Sequence, residues 1–319
     1  MTSKERVLRA IEFRRPDKMP ILYFNKYIER GDIIQLGYKA SANFHPADPN
    51  ESEWGFKWKR VDQTMGQPYD PPIGQWSDLT DYQPPDPEAP GRFDHIPQII
   101  KKHPDQFLMA GLGISGFNFV TYLRGVEETY IDLYEEPENL MRLIHMVYDF
   151  ETAIIRHYCS FPEIDAVSFA DDLGTQRGLI ISPDMWREIY KPLYQKQFEL
   201  IHQHGKKVYL HSCGNIWDII DDFIEIGVDV FNFNQPDVFG IERLGERFRG
   251  RCAFCTPVDH QTVAMHGTEQ QIEDYIKRLK SNLSTEDGGY IGYIEEYSSM
   301  GMSPETFETI CRVFERNRN

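Results

Sequence analysis

Short apolar runs that end in polar residues alternate with longer amphipathic segments through the second half of this chain. That alternation restricts the fold more than any other feature. Residues 164–170 (IDAVSFA) lead to Asp171 and Asp172, and 207–210 (KVYL) lead to His211, Ser212, Cys213 and Gly214. Residues 228–233 (VDVFNF) lead to Asn234 and Gln235, 251–254 to Cys255 and Asp259, and 289–294 to Glu295 and Glu296. Earlier, 20–24 and 107–110 read the same way. Between the runs, 137–158, 183–204, 216–226 and 269–283 have apolar residues at helical spacing. Strands alternating with helices specify parallel βαβ units. Seven strands can be placed; an eighth cannot. The expectation is one (β/α)8 TIM-type barrel domain over residues 1–319, with an open doubly wound sheet as the alternative. No G-x-G-x-x-G follows the first strand, which argues against a dinucleotide site.

Residues 41–100 break the pattern. PYDPPIG and YQPPDPEAP cannot be regular helix or central strand. The stretch, rich in Pro and aromatic residues, reads as a lid or insertion in the N-terminal part of the barrel. Its Trp54, Phe56, Trp58, Trp76 and Tyr82 suit either a pocket wall or simple core. At the N-terminus, Thr2 and Glu5 have capping-box spacing, Val7, Leu8 and Ile11 share a face, and Pro16 ends the helix.

The formal net charge of -16 makes nucleic acid a poor partner, because acidic surfaces repel phosphate backbones. No apolar run is long enough to span a membrane, and the N-terminus lacks an apolar signal core. Five cysteines in a chain of 319 residues do not suggest a disulfide framework, so a cytoplasmic location is expected. Cys252 and Cys255 form a C-x-x-C with no second pair, which is poor evidence for a structural zinc knuckle.

In a barrel of this class the C-terminal strand ends form the active-site face. His211 and Cys213 lie two apart at such an end, so imidazole and thiolate point the same way. Both are zinc ligands, and Gly214 allows a sharp turn after them. A third ligand has to come from another strand end; Glu296, Cys255, Asp259 and Asp172 are the candidates. Glu295 and Glu296 face opposite ways if their strand continues. Asp171 and Asp172 suit metal, cation or acid–base roles, or one of them caps the next helix. Asn232, Asn234 and Gln235 suit substrate orientation, support of metal ligands or hydrogen bonding inside the barrel. Ser115, in GLGISGF, has no persuasive Ser-His-Asp ordering around it.

The chain resembles the uroporphyrinogen decarboxylase superfamily, in the branch related to cobalamin-dependent methyltransferases. The resemblance runs from SKERVLRAIEFRRPDKMPI through SEWGFKW to GGYI and SPETFETI. Its most specific segments are FADDLGTQRGLIISPDMWREIYKPLY and HSCGNIWDIIDDFIEIGVDVFN. The family fold is a (β/α)8 barrel. In the related methyltransferases an H-x-C pair and a later Cys hold zinc. His211 and Cys213 match the pair, and Glu296 stands at the position of the later Cys. Carboxylate oxygen also ligates zinc, so the resemblance implies a Zn2+ site of His211, Cys213 and Glu296. It further implies methyl transfer between a small methylated substrate or thiol and a corrinoid. No D-x-H-x-x-G motif is present, so the corrinoid would arrive on a partner protein. Asp171, Asp172, Gln176 and Asp259 are then the expected catalytic residues, and Asn234 and Gln235 the expected substrate-binding ones. The decarboxylase pattern R-Q-A-G-R is missing from MPILYFNKYIERG, which makes tetrapyrrole decarboxylation a poor expectation. A decarboxylase or lyase for another small acid, and a non-catalytic corrinoid-protein binding module, remain as alternatives.

Overall fold

The computed structural model describes residues 1–60, 66–295 and 301–319, with Asn25 and Lys26 described in their backbone alone. Among the described residues ten strands form, in chain order β1 Ile21–Tyr23, β2 Ile33–Gly37, β3 Lys57–Lys59, β4 Gln67–Tyr69, β5 Phe107–Ile114, β6 Ala166–Ala170, β7 Lys207–His211, β8 Val230–Asn232, β9 Ala253–Thr256 and β10 Tyr290–Ile294. Eight of them make one sheet in the order β1-β10-β9-β8-β7-β6-β5-β2, and β3 pairs with β4 in a separate antiparallel hairpin. Every ladder of the eight is parallel. With helices outside, this is the (β/α)8 barrel that the alternation predicts.

Two apolar layers follow from strand alternation. Leu22, Ile33, Met109, Ala166, Val230, Ala253 and Ile291 fill the barrel interior. Val208, Leu210, Phe231, Phe254 and Ile294 face outward and pack under the helices. The helix Ser3–Ile11 plugs the N-terminal end, with Val7 and Ile11 buried in the interior layer. Thr2 Oγ1 accepts from the Glu5 N–H at 3.1 Å, as the capping-box spacing predicts.

The eighth strand is β2, which the sequence reading left unplaced. Only a 3-10 helix, Asn25–Arg30, separates it from β1. No helical pattern announces it, because the usual helix of a βαβ unit is missing there. The two strands share no ladder; the seam closes where the Asp32 N–H donates to the Ile21 carbonyl at 2.8 Å. The Asp32 carboxylate returns the bond, accepting from the Ile21 N–H at 2.9 Å.

The excursion between β2 and β5 carries the hairpin and the short helices Asp78–Asp81 and Ile96–Lys102. Fully buried Arg92 ties it down. Its guanidinium donates to both Glu53 carboxylate oxygens, at 2.7 and 2.9 Å, and to the carbonyls of Lys39 and Asp86. Among the described residues no helix is long and apolar enough to cross a membrane.

Candidate active site

β6 and β7 run in register with Ala170 opposite His211, so their polar extensions emerge side by side. Tyr209 and His211 point into the barrel, while Leu210 packs outward. Gly214 then turns at φ 73°, where a Cβ would overlap the Gly174 carbonyl. This turn leaves the Cys213 thiol beside the imidazole, with Sγ 3.5 Å from His211 Nε2. From the end of β6, Asp172 Oδ1 lies 3.5 Å from the same Nε2 and accepts the Cys213 N–H at 2.7 Å. One donor atom from each of Asp172, His211 and Cys213 lies within 4.8 Å of the others.

The other imidazole nitrogen fixes the tautomer. His211 Nδ1 lies 2.6 Å from Asn232 Oδ1, and Asn232 Nδ2 donates to the Cys255 carbonyl at 2.6 Å. The carbonyl can only accept, so it orients the Asn232 amide. Its oxygen then accepts a hydrogen bond from the Nδ1–H, which leaves the Nε2 lone pair facing Asp172 and Cys213. Burial, reinforced by the Asp172 carboxylate, pushes the Cys213 thiol well above its ordinary range. A divalent cation between these groups would replace that penalty with attraction. Imidazole, thiolate and carboxylate with one side open to a cavity are a donor set suited to zinc.

That cavity, of about 760 Å³, occupies the C-terminal mouth of the barrel. Asp172, His211, Cys213, Asn232, Asn234 and Glu295 contribute its polar wall. Phe56 and Trp58 from the excursion meet Phe119 and Tyr122 of the helix Gly116–Arg124 on the aromatic side. The Asn234 Oδ1 is buried with no protein donor among the described residues, an acceptor available to a ligand.

The residues expected from the sequence divide. His211, Cys213, Asp172 and Asn234 come together at the cavity. Glu296 lies outside the described residues. Its neighbour Glu295 lines the cavity on the same face as Tyr293, whose hydroxyl donates to Glu295 Oε2 at 2.8 Å. Period two from the interior residues Ile291 and Tyr293 is the signal that points to Glu295. Gln176 is exposed and donates to Gln235 at 3.0 Å; neither lines the cavity. Asp259 is buried away from it, where Oδ1 accepts the N–H groups of Gln261 and Thr262 at 2.9 and 3.0 Å. Cys255 sits deeper, in the interior apolar layer. Of the other aromatics in the excursion, Trp54 packs against Phe119 and Phe150, and Trp76 stacks on Arg124.

Asp171 is fully buried behind the cavity wall. It accepts the Phe117 and Asn118 N–H groups, both at 2.9 Å, and the Tyr194 hydroxyl. Glu151 accepts the preceding Gly116 N–H at 2.8 Å. Two carboxyl groups thus cap one helix. Burial outweighs these donors and lifts each to about 7. A raised carboxyl favours the protonated fold, so its contribution is full below about pH 4 and is lost as pH rises through about 7. Glu151→Gln, a neutral mimic of the protonated acid, is expected to gain on the order of 1–3 kcal/mol over wild type at about pH 8. The gain should vanish near pH 4. The Gln197 Oε1, which has no partner among the described residues, can turn to accept from the new amide. Urea denaturation at the two pH values checks this; an equal difference at both would refute it.

Comparison with known proteins follows the same lines. A family model described as uroporphyrinogen decarboxylase (URO-D) matches residues 54–314. The chain belongs to that family. Among solved structures, a methyltransferase from Methanosarcina mazei aligns over 99% of both chains with a TM-score of 0.72, at 15% identity. At that identity the likeness shows a shared fold. A 3-keto-D-glucoside 4-epimerase from E. coli aligns over 70% of this chain and 84% of its own, at 14% identity and a TM-score of 0.40. An intracellular xylanase from Thermoanaerobacterium saccharolyticum covers 95% of this chain and 98% of its own, at 10% identity and a TM-score of 0.44. No curated protein matches the chain.

Proposed function

We propose that this uroporphyrinogen decarboxylase family member is a zinc-dependent methyltransferase. It would move a methyl group between a small heteroatom-bearing substrate and a corrinoid carried by a partner protein. The observation that carries the reading is the convergence of Asp172, His211 and Cys213 at the mouth of a large cavity. Family membership and the full-length likeness to a methyltransferase fold support it. Zinc there would act as a Lewis acid on the substrate's oxygen, nitrogen or sulfur.

The chain's own residues supply the rest. Asn232 holds the imidazole so that Nε2 faces the cation position. Asp172 fixes the Cys213 backbone while offering its carboxylate. The Asn234 oxygen receives a donor on the substrate, and the aromatic side of the cavity excludes water from the reacting groups. The open barrel mouth leaves one side for a docking corrinoid domain.

Decarboxylation of a polycarboxylate fits the cavity less well. Among the described residues its wall has no lysine or arginine to hold carboxylates. Elemental analysis of untagged protein tests the proposal. About one zinc per chain is expected, and Cys213→Ser and His211→Ala should lose it together with methyl transfer from added methylcobalamin or to added cob(I)alamin. Protein that neither contains zinc nor binds it when supplied would end the reading.

A further inference from the structure

The charges and rings of the cavity point to a chemical class of substrate. The step rests on the methyl-transfer reading for what happens after binding, and on the cavity alone for binding itself. Asp172 and Glu295 are the acidic groups in the wall, and no described lysine or arginine joins them there. Elsewhere on the chain carboxylates pair freely with Arg and Lys, as Asp222 does with Arg187 and Lys191. Among the described residues Asp172 meets only His211 at ion-pair distance, and Glu295 meets no cation. With Asp172 engaged by metal, Glu295 remains as a charge facing the cavity with no cation beside it among the described residues.

Aromatic rings flank that charge. β1 and β10 are paired with Tyr23 opposite Ile294, so Phe24 emerges beside Glu295. The Phe24 and Tyr293 rings lie 6.1 Å apart, and both line the cavity with Glu295. Phe56, Trp58 and Tyr122 contribute further rings, with Phe56 and Trp58 at 5.5 and 6.0 Å from Tyr122. A cation in such surroundings gains from the ring faces and from the carboxylate at once. An anion would meet uncompensated carboxylate in a partly desolvated space. A neutral molecule would gain from apolar contact alone.

We propose that the cavity selects substrates that bear an organic cation of the methylated ammonium or sulfonium class, with Glu295 as the selecting charge; that centre has no basic lone pair, so the heteroatom zinc would engage is a separate one on the same substrate. At about 760 Å³ the space exceeds a bare trimethylated head group, so the substrate carries an apolar or aromatic body as well.

Isothermal titration of the zinc-loaded full chain with three probes of similar shape tests this. They are choline, its neutral isostere with carbon in place of nitrogen, and tert-butylacetate. Choline should bind about tenfold more tightly than the neutral isostere, and the anion most weakly. Glu295→Gln keeps an acceptor for the Tyr293 hydroxyl, so the fold should persist. It should weaken choline about tenfold and leave the neutral isostere unchanged. Choline binding no tighter than the neutral isostere, or absent, overturns the proposal, as does an unchanged choline affinity in Glu295→Gln. Zinc content measured on the same samples separates the two ideas. Zinc without cation preference leaves methyl transfer standing, and cation preference without zinc leaves this inference standing.

Discussion

Asp32→Ala is expected to cost about 3–5 kcal/mol of stability, the loss that follows when one partner of a buried ion pair is removed. Asp32 is buried where β1 and β2 meet without a ladder. One carboxylate oxygen accepts from Ser3 at 2.8 Å and Arg6 at 2.7 Å. The other accepts from the Ile21 N–H at 2.9 Å and from Arg318. A single side chain thus joins the N-terminal helix, the first two strands and the last turn of the chain. Removing it leaves the buried Arg318 without its deepest partner and the Ile21 N–H without an acceptor. Arg6 keeps Asp17, at 2.6 Å, which limits the loss on that side. The denaturant midpoint should fall with an unchanged slope, the sign of lost stability without a changed unfolded state. Asp32→Asn, which retains an acceptor, should fall between. A loss under about 1 kcal/mol for the alanine variant would show that the seam is held by packing instead.

That seam also marks the limit of what the sequence discloses about the fold. The barrel is legible because β6 to β10 each end in polar residues and are followed or preceded by helical spacing. β2 is not, because a 3-10 helix replaces the usual crossover and IIQLG alone does not differ from a buried loop segment. Asp32 reads as an ordinary loop acid; its partners Arg6 and Arg318 are brought to it by closure of the whole chain, which no local pattern records.

The site follows the same rule. His211 and Cys213 are legible because strand period two acts within one element. Asp172 is legible as a candidate, but its choice over Asp171 depends on the helix Gly116–Arg124, which takes Asp171 for its own N-terminus. The third family position falls on Glu296 by counting along the chain. Glu296 lies outside the described residues; among those described, Glu295 lines the cavity, on the same strand face as Tyr293. Gln235 and Asp259 read as functional from their strand-end positions, and Gln176 from the family resemblance. Their hydrogen bonds are spent on each other and on neighbouring backbone. Phe119 and Tyr122 reach the cavity only through helix packing, and their sequence context gives no hint of it.

Asn232→Leu is expected to lower zinc affinity at the proposed site about 10–100-fold while leaving the proposed ligands in place. Asn232 touches neither the cation position nor the aromatic wall directly through its amide; it acts through His211. Its Oδ1 accepts the His211 Nδ1–H, with the two atoms 2.6 Å apart, and its own orientation is set by the bond its Nδ2 donates to the Cys255 carbonyl at 2.6 Å. Leucine has similar volume, so the buried position stays filled, but the imidazole loses the acceptor that selects its tautomer. Binding must then bear the cost of ordering a ring that the wild type holds ready. The Cys255 carbonyl also loses its donor, so stability should drop by about 1–3 kcal/mol. Asn232→Asp separates the two effects. It keeps an acceptor for Nδ1 and removes the donor to Cys255, so it should lose stability yet bind zinc far better than the leucine variant. Competition against a chromophoric chelator reads the affinities, and urea denaturation reads the stabilities. Equal zinc affinity in wild type and Asn232→Leu would mean that His211 is oriented by packing, and that the 2.6 Å contact is incidental to metal binding.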